Sequence, residues 1–265
     1  MNSAVERAIT FMFEKYSEPL SLSDVADSAI LSRFHFCRTF RDATGVTPRR
    51  FLSAIRIYQA KRMLLNTQLN VTDIAFAVGY NSLGSFSNHF TDSVGISPGR
   101  FRRISRNGGI KPPRSPRSPQ GWTVTGRILF PAGYTSARAY LAAFDTPIVQ
   151  RQPASAVTID LPDTNEPVSF ELPEVPTGTW FLRVVASADN ADPEPWTRRT
   201  LLVGGSGPVN VTASRTLPIG IDLRPRRPTD LPILLALPDL EPEGHGDVAG
   251  SPRRENSSAP LVQVP

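Results

Sequence analysis

The sequence predicts a chain of two dissimilar parts: an all-α domain comes first, and an antiparallel β-sandwich with a disordered tail follows it. The 265 residues suit two modest domains. Of the 26 prolines, only Pro19, Pro48 and Pro98 lie in residues 1–106. Because proline disrupts a helix interior, long helices are expected only in that first part. Apolar residues recur there at helical spacing and alternate with period two further on.

Charge and composition divide the chain into four predicted segments. These are an α domain over 1–106, a basic Pro/Gly linker over 107–120, a β-sandwich over 121–227 and a Pro-rich acidic tail over 228–265, expected to be largely disordered. The first segment carries 14 Lys+Arg against 8 Asp+Glu, whereas the tail carries 2 against 6. A basic excess confined to the front is expected if that part approaches a polyanion.

Several classes of protein are excluded by composition. A single cysteine, Cys37, rules out an internal disulfide framework and a cysteine-rich zinc site. The longest apolar run, residues 139–144, is far shorter than the ~20 residues of a membrane helix. No signal-peptide stretch, G-x-S-x-G motif, phosphate-binding glycine loop or histidine pair at metal spacing is present. We therefore expect a cytoplasmic protein that is not an enzyme, holds no metal or cofactor and has no membrane partner.

The first part contains an internal repeat, which appears when the sequence is shifted by 50 residues. The matches place Ser32 on Ser82, Phe36 on Phe86, Phe40 on Phe90, Gly45 on Gly95, Pro48 on Pro98 and Phe51 on Phe101. Slightly upstream the offset is 49, with Val25 on Ile74. One extra residue therefore lies within residues 79–81 of the second copy. Such agreement over about 30 residues indicates a duplicated structural unit.

Each copy predicts a helix, a tight turn and a second helix. In the first copy, Ser21 and Asp24 form a capping box, and Ser32 is expected to cap the second helix. Gly45 suits the left-handed position that ends this helix. A threonine–proline pair then starts a long helix over about 48–65, which joins the two copies. A further helix over 3–16 is expected to pack in front.

Two helix-turn-helix units joined by one helix resemble the DNA-binding domain of the AraC/XylS family of transcription regulators. The resemblance rests on AKRMLL at 60–65, VTDIAFAVGY at 71–80, the segment 86–90, and GISP at 95–98 with Phe101-Arg102, and it covers residues 3–104. It implies a sequence-specific regulator that binds double-stranded DNA, with RNA polymerase as a further candidate partner. Two recognition helices on one chain can enter successive major-groove turns ~34 Å apart, which favours an asymmetric DNA site.

Helix geometry and the family motif together select the candidate DNA-binding residues. Since Phe36 and Phe40 are expected to point inward, the opposite face of the helix remains for DNA. The motif assigns base contacts to Phe34, Cys37, Arg38, Leu83, Gly84, Ser85, Ser87 and Asn88, and phosphate contacts to Ser32, Arg33, Arg41 and Ser82. Arg38 is the leading candidate, because a guanidinium can bond two guanine acceptors at once. Family members often carry arginine where this chain has Asn88, so the first unit is expected to dominate specificity.

Beyond residue 121, short alternating stretches predict strands. They are 122–130, 138–144, 157–161, 168–172, 179–186, 197–203, 209–213 and 219–223, separated by Pro/Gly/Asp turns. This pattern favours an antiparallel sandwich, and residues 168–184 resemble a prealbumin-like (carboxypeptidase regulatory-like) module. Such a module offers a surface for self-association or a small-molecule effector.

Two further interpretations stay open at this stage. The apolar segment 231–238 is expected to pack as an edge strand on the sandwich, although it could instead dock a partner by strand addition. The alternative to a regulator is an interaction or ligand-sensing β-sandwich protein with a weakened DNA-binding unit as its anchor.

Overall fold

A computed structural model describes residues 3–107, 121–162, 166–190, 199–212, 218–227 and 229–237. The helices among these residues are α1 Ser3–Lys15, α2 Leu22–Ser28, α3 Arg33–Thr44, α4 Pro48–Asn66, α5 Val71–Ala77, α6 Leu83–Val94 and α7 Pro98–Asn107. The strands are β1 Trp122–Leu129, β2 Tyr134–Phe144, β3 Ser155–Leu161, β4 Val168–Val175, β5 Gly178–Asn190, β6 Arg199–Val211, β7 Ile219–Asp222 and β8 Arg224–Pro225. The chain is thus a helical region followed by a β-rich region. The predicted linker beyond Asn107 and the predicted tail beyond residue 237 lie outside the described residues.

Local sequence signals account for the helix ends in both copies of the repeat. The predicted capping box at the start of α2 is confirmed, with Ser21 and Asp24 each bonded to the other's backbone N–H. Gly45 and Gly95 adopt left-handed φ angles of 77° and 90° after α3 and α6, as expected for glycine C-caps. The cap predicted for Ser32 is wrong in one respect. This residue stands at the N-cap position, but its hydroxyl makes no capping bond to α3.

The turns between the paired helices show where the repeat gains its extra residue. Ile30 and Gly79 occupy equivalent left-handed positions, with φ angles of 60° and 84°. The next residues, Leu31 and Tyr80, each donate their backbone N–H to a carbonyl five residues back, at 3.1 and 3.0 Å. The two turns therefore match up to this point, and the extra residue of the second copy is Asn81.

A repeated row of phenylalanines forms the helical core. The ring centroids are 5.3 Å apart for Phe36–Phe40, 5.4 Å for Phe40–Phe51, 5.6 Å for Phe86–Phe90 and 5.8 Å for Phe90–Phe101. All six rings are buried. The first set joins α3 to α4 and the second joins α6 to α7, so each copy closes on the helix that follows it. The inward orientation predicted for Phe36 and Phe40 is confirmed.

The β-rich region consists of two sheets. One has the strand order β4-β1-β7 and the other β3-β2-β5-β6-β8. Side chains from both, such as Val124 and Leu172 on one sheet and Leu141 and Leu182 on the other, belong to a single buried cluster. The prediction of antiparallel pairing fails for β1 and β7, which are parallel. Strand β7 is separated from β1 by all the intervening strands, a separation long enough for the crossover that parallel pairing requires.

Strand β6 replaces two strands that were predicted separately, 197–203 and 209–213. The intervening glycines break the apolar alternation but not the strand, because Gly204 and Gly205 remain paired with β5. A Cβ atom on Gly205 would lie 2.6 Å from the carbonyl oxygen of Leu182, so no side chain fits there. The short strand β8 was not predicted from the sequence.

The apolar segment near the end of the chain does not form the predicted edge strand. Residues 231–237 have no strand structure, and Leu234 to Leu237 are buried. Leu234 and Ala236 belong to the helical core, whereas Leu235 and Leu237 pack against the β-rich region. Because its side chains alternate between two cores, the segment fills the junction of the two regions instead of extending a sheet.

Candidate nucleic-acid interface

Helix α3 buries Phe36 and Phe40 and presents its predicted contact residues on the other side. Arg33, Arg38 and Arg41 are exposed, Phe34 is 93% exposed, and Cys37 is half-buried. The Nε atom of Arg38 lies 4.0 Å from the carboxylate of Asp42 one turn away. An exposed ion pair at this distance contributes little. The Arg38 guanidinium is therefore open to another partner.

Helix α6 repeats the geometry of α3 with different chemistry. Of the predicted contact residues, Ser82, Leu83, Gly84, Ser85 and Asn88 are exposed and Ser87 is half-buried. The Ser82 hydroxyl caps the helix by accepting the backbone N–H of Ser85 at 3.2 Å, and it donates to the Ser85 hydroxyl at 3.0 Å. A Cβ on Gly84 would meet nothing within 4 Å, so packing does not require a glycine there. The face of α6 carries no cation, in contrast to the three arginines of α3.

The predicted residues thus form two exposed faces, one on each unit, with Ser32 exposed just ahead of α3. Further exposed cations, which sequence reasoning missed, are Arg49 and Arg50 at the start of α4 and Arg100 and Arg103 in α7. For Arg49, Arg50 and Arg100 the available signal was their position in the first turn after the Thr-Pro and Ser-Pro helix starts, where the positive helix N-terminus also favours an anion.

A hydrogen-bonded junction connects the first unit to the second. The Arg56 side chain on α4 donates from Nε to the carbonyl of Tyr16 and from Nη2 to that of Glu18, both at 2.8 Å. In the turn before α6, a Cβ on Gly79 would lie 2.8 Å from the carbonyl oxygen of Ser17. The loop after α1, the middle of α4 and the second turn therefore meet at one place. Nothing in the sequence pattern distinguished Arg56 from a solvated arginine.

Two titratable side chains complete this junction. The Tyr80 hydroxyl is hydrogen-bonded to Nδ1 of His89, and the Ser53 hydroxyl lies 3.4 Å from the same ring nitrogen. Burial raises the pKa of Tyr80 to about 12. Burial also lowers the pKa of His89; the Asp92 carboxylate opposes this shift, and the nearby charge of Arg151 adds to it. At neutral pH the tyrosine is therefore protonated and the imidazole is neutral.

A groove of about 940 Å³ runs beside this junction. Its walls come from the start of α2, the start of α4 and the turn before α6, and they include Leu22, Arg49, Phe76, Asn81 and Ser85. The groove therefore opens between the two units, next to the exposed face of α6.

Other kinds of site are not indicated in the described part of the chain. Among those residues, no group of three or more His, Cys, Asp or Glu side chains is placed to hold a metal ion. None of the described helices combines the length and apolarity that a bilayer crossing requires.

The helical region is similar to parts of several known proteins. Residues 25–104 match the model of a helix-turn-helix domain family. The lactose operon transcription activator of Staphylococcus xylosus is 31% identical over 102 residues, which make up 38% of this chain and 37% of that protein. The melibiose operon regulatory protein of Escherichia coli (strain K12) is 28% identical over 102 residues, or 38% of this chain and 34% of that protein. The chain thus spans little more than a third of the length of these curated relatives.

Among solved structures, the DNA-binding domain of AdpA in complex with a target DNA is 29% identical and has a TM-score of 0.38. That match covers 39% of this chain and 93% of the solved chain.

The helical region of this chain therefore contains a helix-turn-helix domain. More particularly, it resembles the AraC-type domains of regulators of the AraC/XylS family. The prealbumin-like resemblance of the β-rich region stays a prediction.

Proposed function

We propose that the chain is a sequence-specific, DNA-binding transcription regulator that reads two successive major-groove segments with α3 and α6. The observation that supports this most strongly is that α3 and α6, which are offset by 50 residues, present equivalent exposed faces. On the opposite side, each helix buries a pair of phenylalanines. The regulators that match the same residues support the assignment to transcription. On this proposal the two helix pairs act as a tandem reader on double-stranded DNA.

The two helices contribute unequally in this proposal. On α3, Arg38 binds a guanine, and Phe34 and Cys37 contact the edges of the same bases. Arg33 and Arg41, together with Ser32, contact phosphates. On α6, Asn88 is suited to an adenine and Leu83 to a thymine methyl, with Gly84, Ser85 and Ser87 beside them and Ser82 near a phosphate. Of the two recognition helices, only α3 carries arginines, and the first unit therefore provides most of the specificity.

The remaining parts of the proposal concern the rest of the chain. We place domain limits at residues 106 and 121, with a basic linker between them and an acidic tail after residue 227. The β-rich region serves as a sandwich for regulation or assembly, and the protein works in the cytoplasm without catalysis. Its partners beyond DNA are RNA polymerase and either a second copy or an effector.

Replacing Arg38 with alanine tests the reading role of α3. We expect the DNA site to lose about 1–3 kcal/mol of discrimination at one base pair, because a bidentate contact to guanine is removed. Footprinting and binding titrations on the selected site and on its single-base variants measure this loss. General DNA affinity should be mostly kept.

The matched control is Arg127→Ala, which removes an exposed arginine from β1 in the β-rich region. This control should leave specificity unchanged. If Arg38→Ala behaved like the control at every base pair, the alternative of an interaction protein with a weakened DNA anchor would be favoured. A binding affinity that does not fall with added salt would contradict phosphate contacts altogether.

A further inference from the structure

The loop between β2 and β3 touches the ends of both recognition helices. We call residues 145–151 the bridging loop. After α3, a Cβ on Gly45 would lie 3.1 Å from Cγ of Pro147. Near the end of α6, the carbonyl of Ser93 accepts the backbone N–H of Arg151 at 2.8 Å. Ile148, between these two contacts, is buried in the helical core. One short loop therefore contacts the C-terminal ends of α3 and α6 together.

The bridging loop is in turn fixed to the larger sheet. Arg183 on β5 donates from Nε to the carbonyl of Pro147 at 2.9 Å. Burial lowers the pKa of this guanidinium, which reflects how far it is removed from water. Val149 of the loop packs in a cluster with Tyr140 and Phe144 of β2. The loop is held to the β-rich region while it contacts the helices.

A second segment closes over the bridging loop. We call residues 231–237 the closing segment. The N–H groups of Leu234 and Leu235 both donate to the carbonyl of Val149, at 2.8 and 3.0 Å. The N–H of Ala236 donates to the carbonyl of Val94 near the end of α6, at 3.3 Å. The closing segment is therefore bonded both to the bridging loop and to the second helix-turn-helix unit.

A buried lysine joins the closing segment to the helix that connects the two units. Lys61 on α4 is only 4% exposed, and its ammonium group donates to the carbonyls of Leu235 at 3.1 Å and Ile233 at 3.4 Å. The same nitrogen lies 5.6 Å from the ring centre of Phe101 on α7. A buried ammonium group is costly unless its donors are used, so this contact favours one seating of the closing segment. Nearby, the Arg226 guanidinium lies 5.3 Å from the ring centre of Tyr58 on α4.

From these contacts we infer that the β-rich region is a brace for the DNA-binding domain: the bridging loop and closing segment fix the separation of α3 and α6. Apart from them, the two units are joined through α4, the junction at Arg56 and the helical core that they share. The brace holds the C-terminal ends of the two helices and leaves the exposed residues near their N-termini free. This inference rests on the proposed function for its biological role. Two helices that bind successive major-groove segments must be as far apart as those segments are along the duplex.

The brace is tested without DNA by measuring the distance between the two recognition helices. Spin labels are attached to Asp42→Cys on α3 and Asp92→Cys on α6, two exposed positions, in a chain where Cys37→Ser removes the native thiol. Double electron–electron resonance spectroscopy then gives the distribution of distances between the two labels. We expect one narrow distribution in this chain and a clearly broadened one when Leu235→Ala and Leu237→Ala remove the buried side chains of the closing segment.

The control is Leu129→Ala, which truncates an exposed leucine on β1 and should leave the distribution narrow. If the double variant does not fold, as judged by circular dichroism, Leu235→Ala alone carries the test, together with hydrogen exchange at the amides of 42–46 and 92–96. Those amides should exchange about tenfold faster in the variant, because the helix ends lose their cover. An unchanged distribution with unchanged exchange overturns the brace. Loss of DNA specificity in Arg38→Ala is a separate result and concerns the proposed function alone.

Discussion

At the residue scale, the turn between α2 and α3 and the turn between α5 and α6 carry unequal strain. Both need a left-handed residue, and the second copy supplies Gly79 whereas the first uses Ile30. A β-branched residue in this conformation is costly, because its Cβ approaches the neighbouring carbonyl oxygen. Ile30 is 79% exposed, so little packing compensates for the strain.

We therefore expect Ile30→Gly to stabilise the protein by about 1 kcal/mol. The reverse change, Gly79→Ala, should destabilise it by at least about 1–2 kcal/mol, since a left-handed alanine is strained and its Cβ would meet the carbonyl of Ser17 at 2.8 Å. Urea unfolding followed by circular dichroism measures both. If Ile30→Gly proved destabilising, the isoleucine would have to make a contact that its exposure does not indicate.

Also at the residue scale, His89 links stability to pH. Its pKa is lowered in the folded protein from an ordinary value of 6.5, so the unfolded chain binds the proton more readily. The stabilisation is fully present above pH 6.5 and is lost as the pH falls toward the lowered value. His89→Gln should flatten the dependence of the urea midpoint on pH between about 7.5 and 5. His35→Gln, on the exposed side of α3, serves as the control; an equal flattening in both variants would contradict the role of His89.

At the scale of elements, α7 helps to end α4. The Arg102 side chain donates from Nε to the carbonyl of Leu64 at 3.1 Å and from Nη2 to that of Leu69 at 2.7 Å. A cation at these carbonyls is favourable because the C-terminal end of a helix carries partial negative charge.

We expect Arg102→Gln to lower the free energy of unfolding by about 1–2 kcal/mol, since two charge-assisted hydrogen bonds are lost. The neighbouring Arg103→Gln removes an exposed arginine from the same helix and should change stability by less than about 0.5 kcal/mol. Chemical unfolding of the two variants side by side decides between a capping role and a general effect of charge on α7.

How far the elements could be predicted depends on whether their signals were local. The capping box at Ser21 and the glycines after α3 and α6 act within a few residues, and the helix limits followed from them. The pairing of β7 with β1 and the continuity of β6 through Gly204 depend on partners far away in the sequence, and local alternation does not encode them. The exposed faces of α3 and α6 followed from the buried phenylalanines. Lys61 resembled any solvated lysine on a long helix, and only tertiary structure reveals its burial.

At the scale of the whole molecule, the shared interface predicts how the chain unfolds. All three tryptophans lie beyond residue 121, so fluorescence reports on the β-rich region, whereas helical circular dichroism reports mainly on the helical region. Because Ile148, Leu234 and Ala236 belong to the helical core, we expect the two thermal transitions to coincide. In Leu235→Ala they should separate. Separate transitions in the unaltered chain would mean that the regions unfold independently.

The single cysteine of the sequence has a practical consequence. Cys37 lies on the face of α3 that carries Phe34 and Arg38, and it is half-buried there. A maleimide dye would therefore attach at one known position without any engineering. If α3 binds DNA as proposed, the emission of the dye would report the arrival of a duplex at that helix in real time. Protection of the thiol from alkylation by an added oligonucleotide would then map the occupied surface.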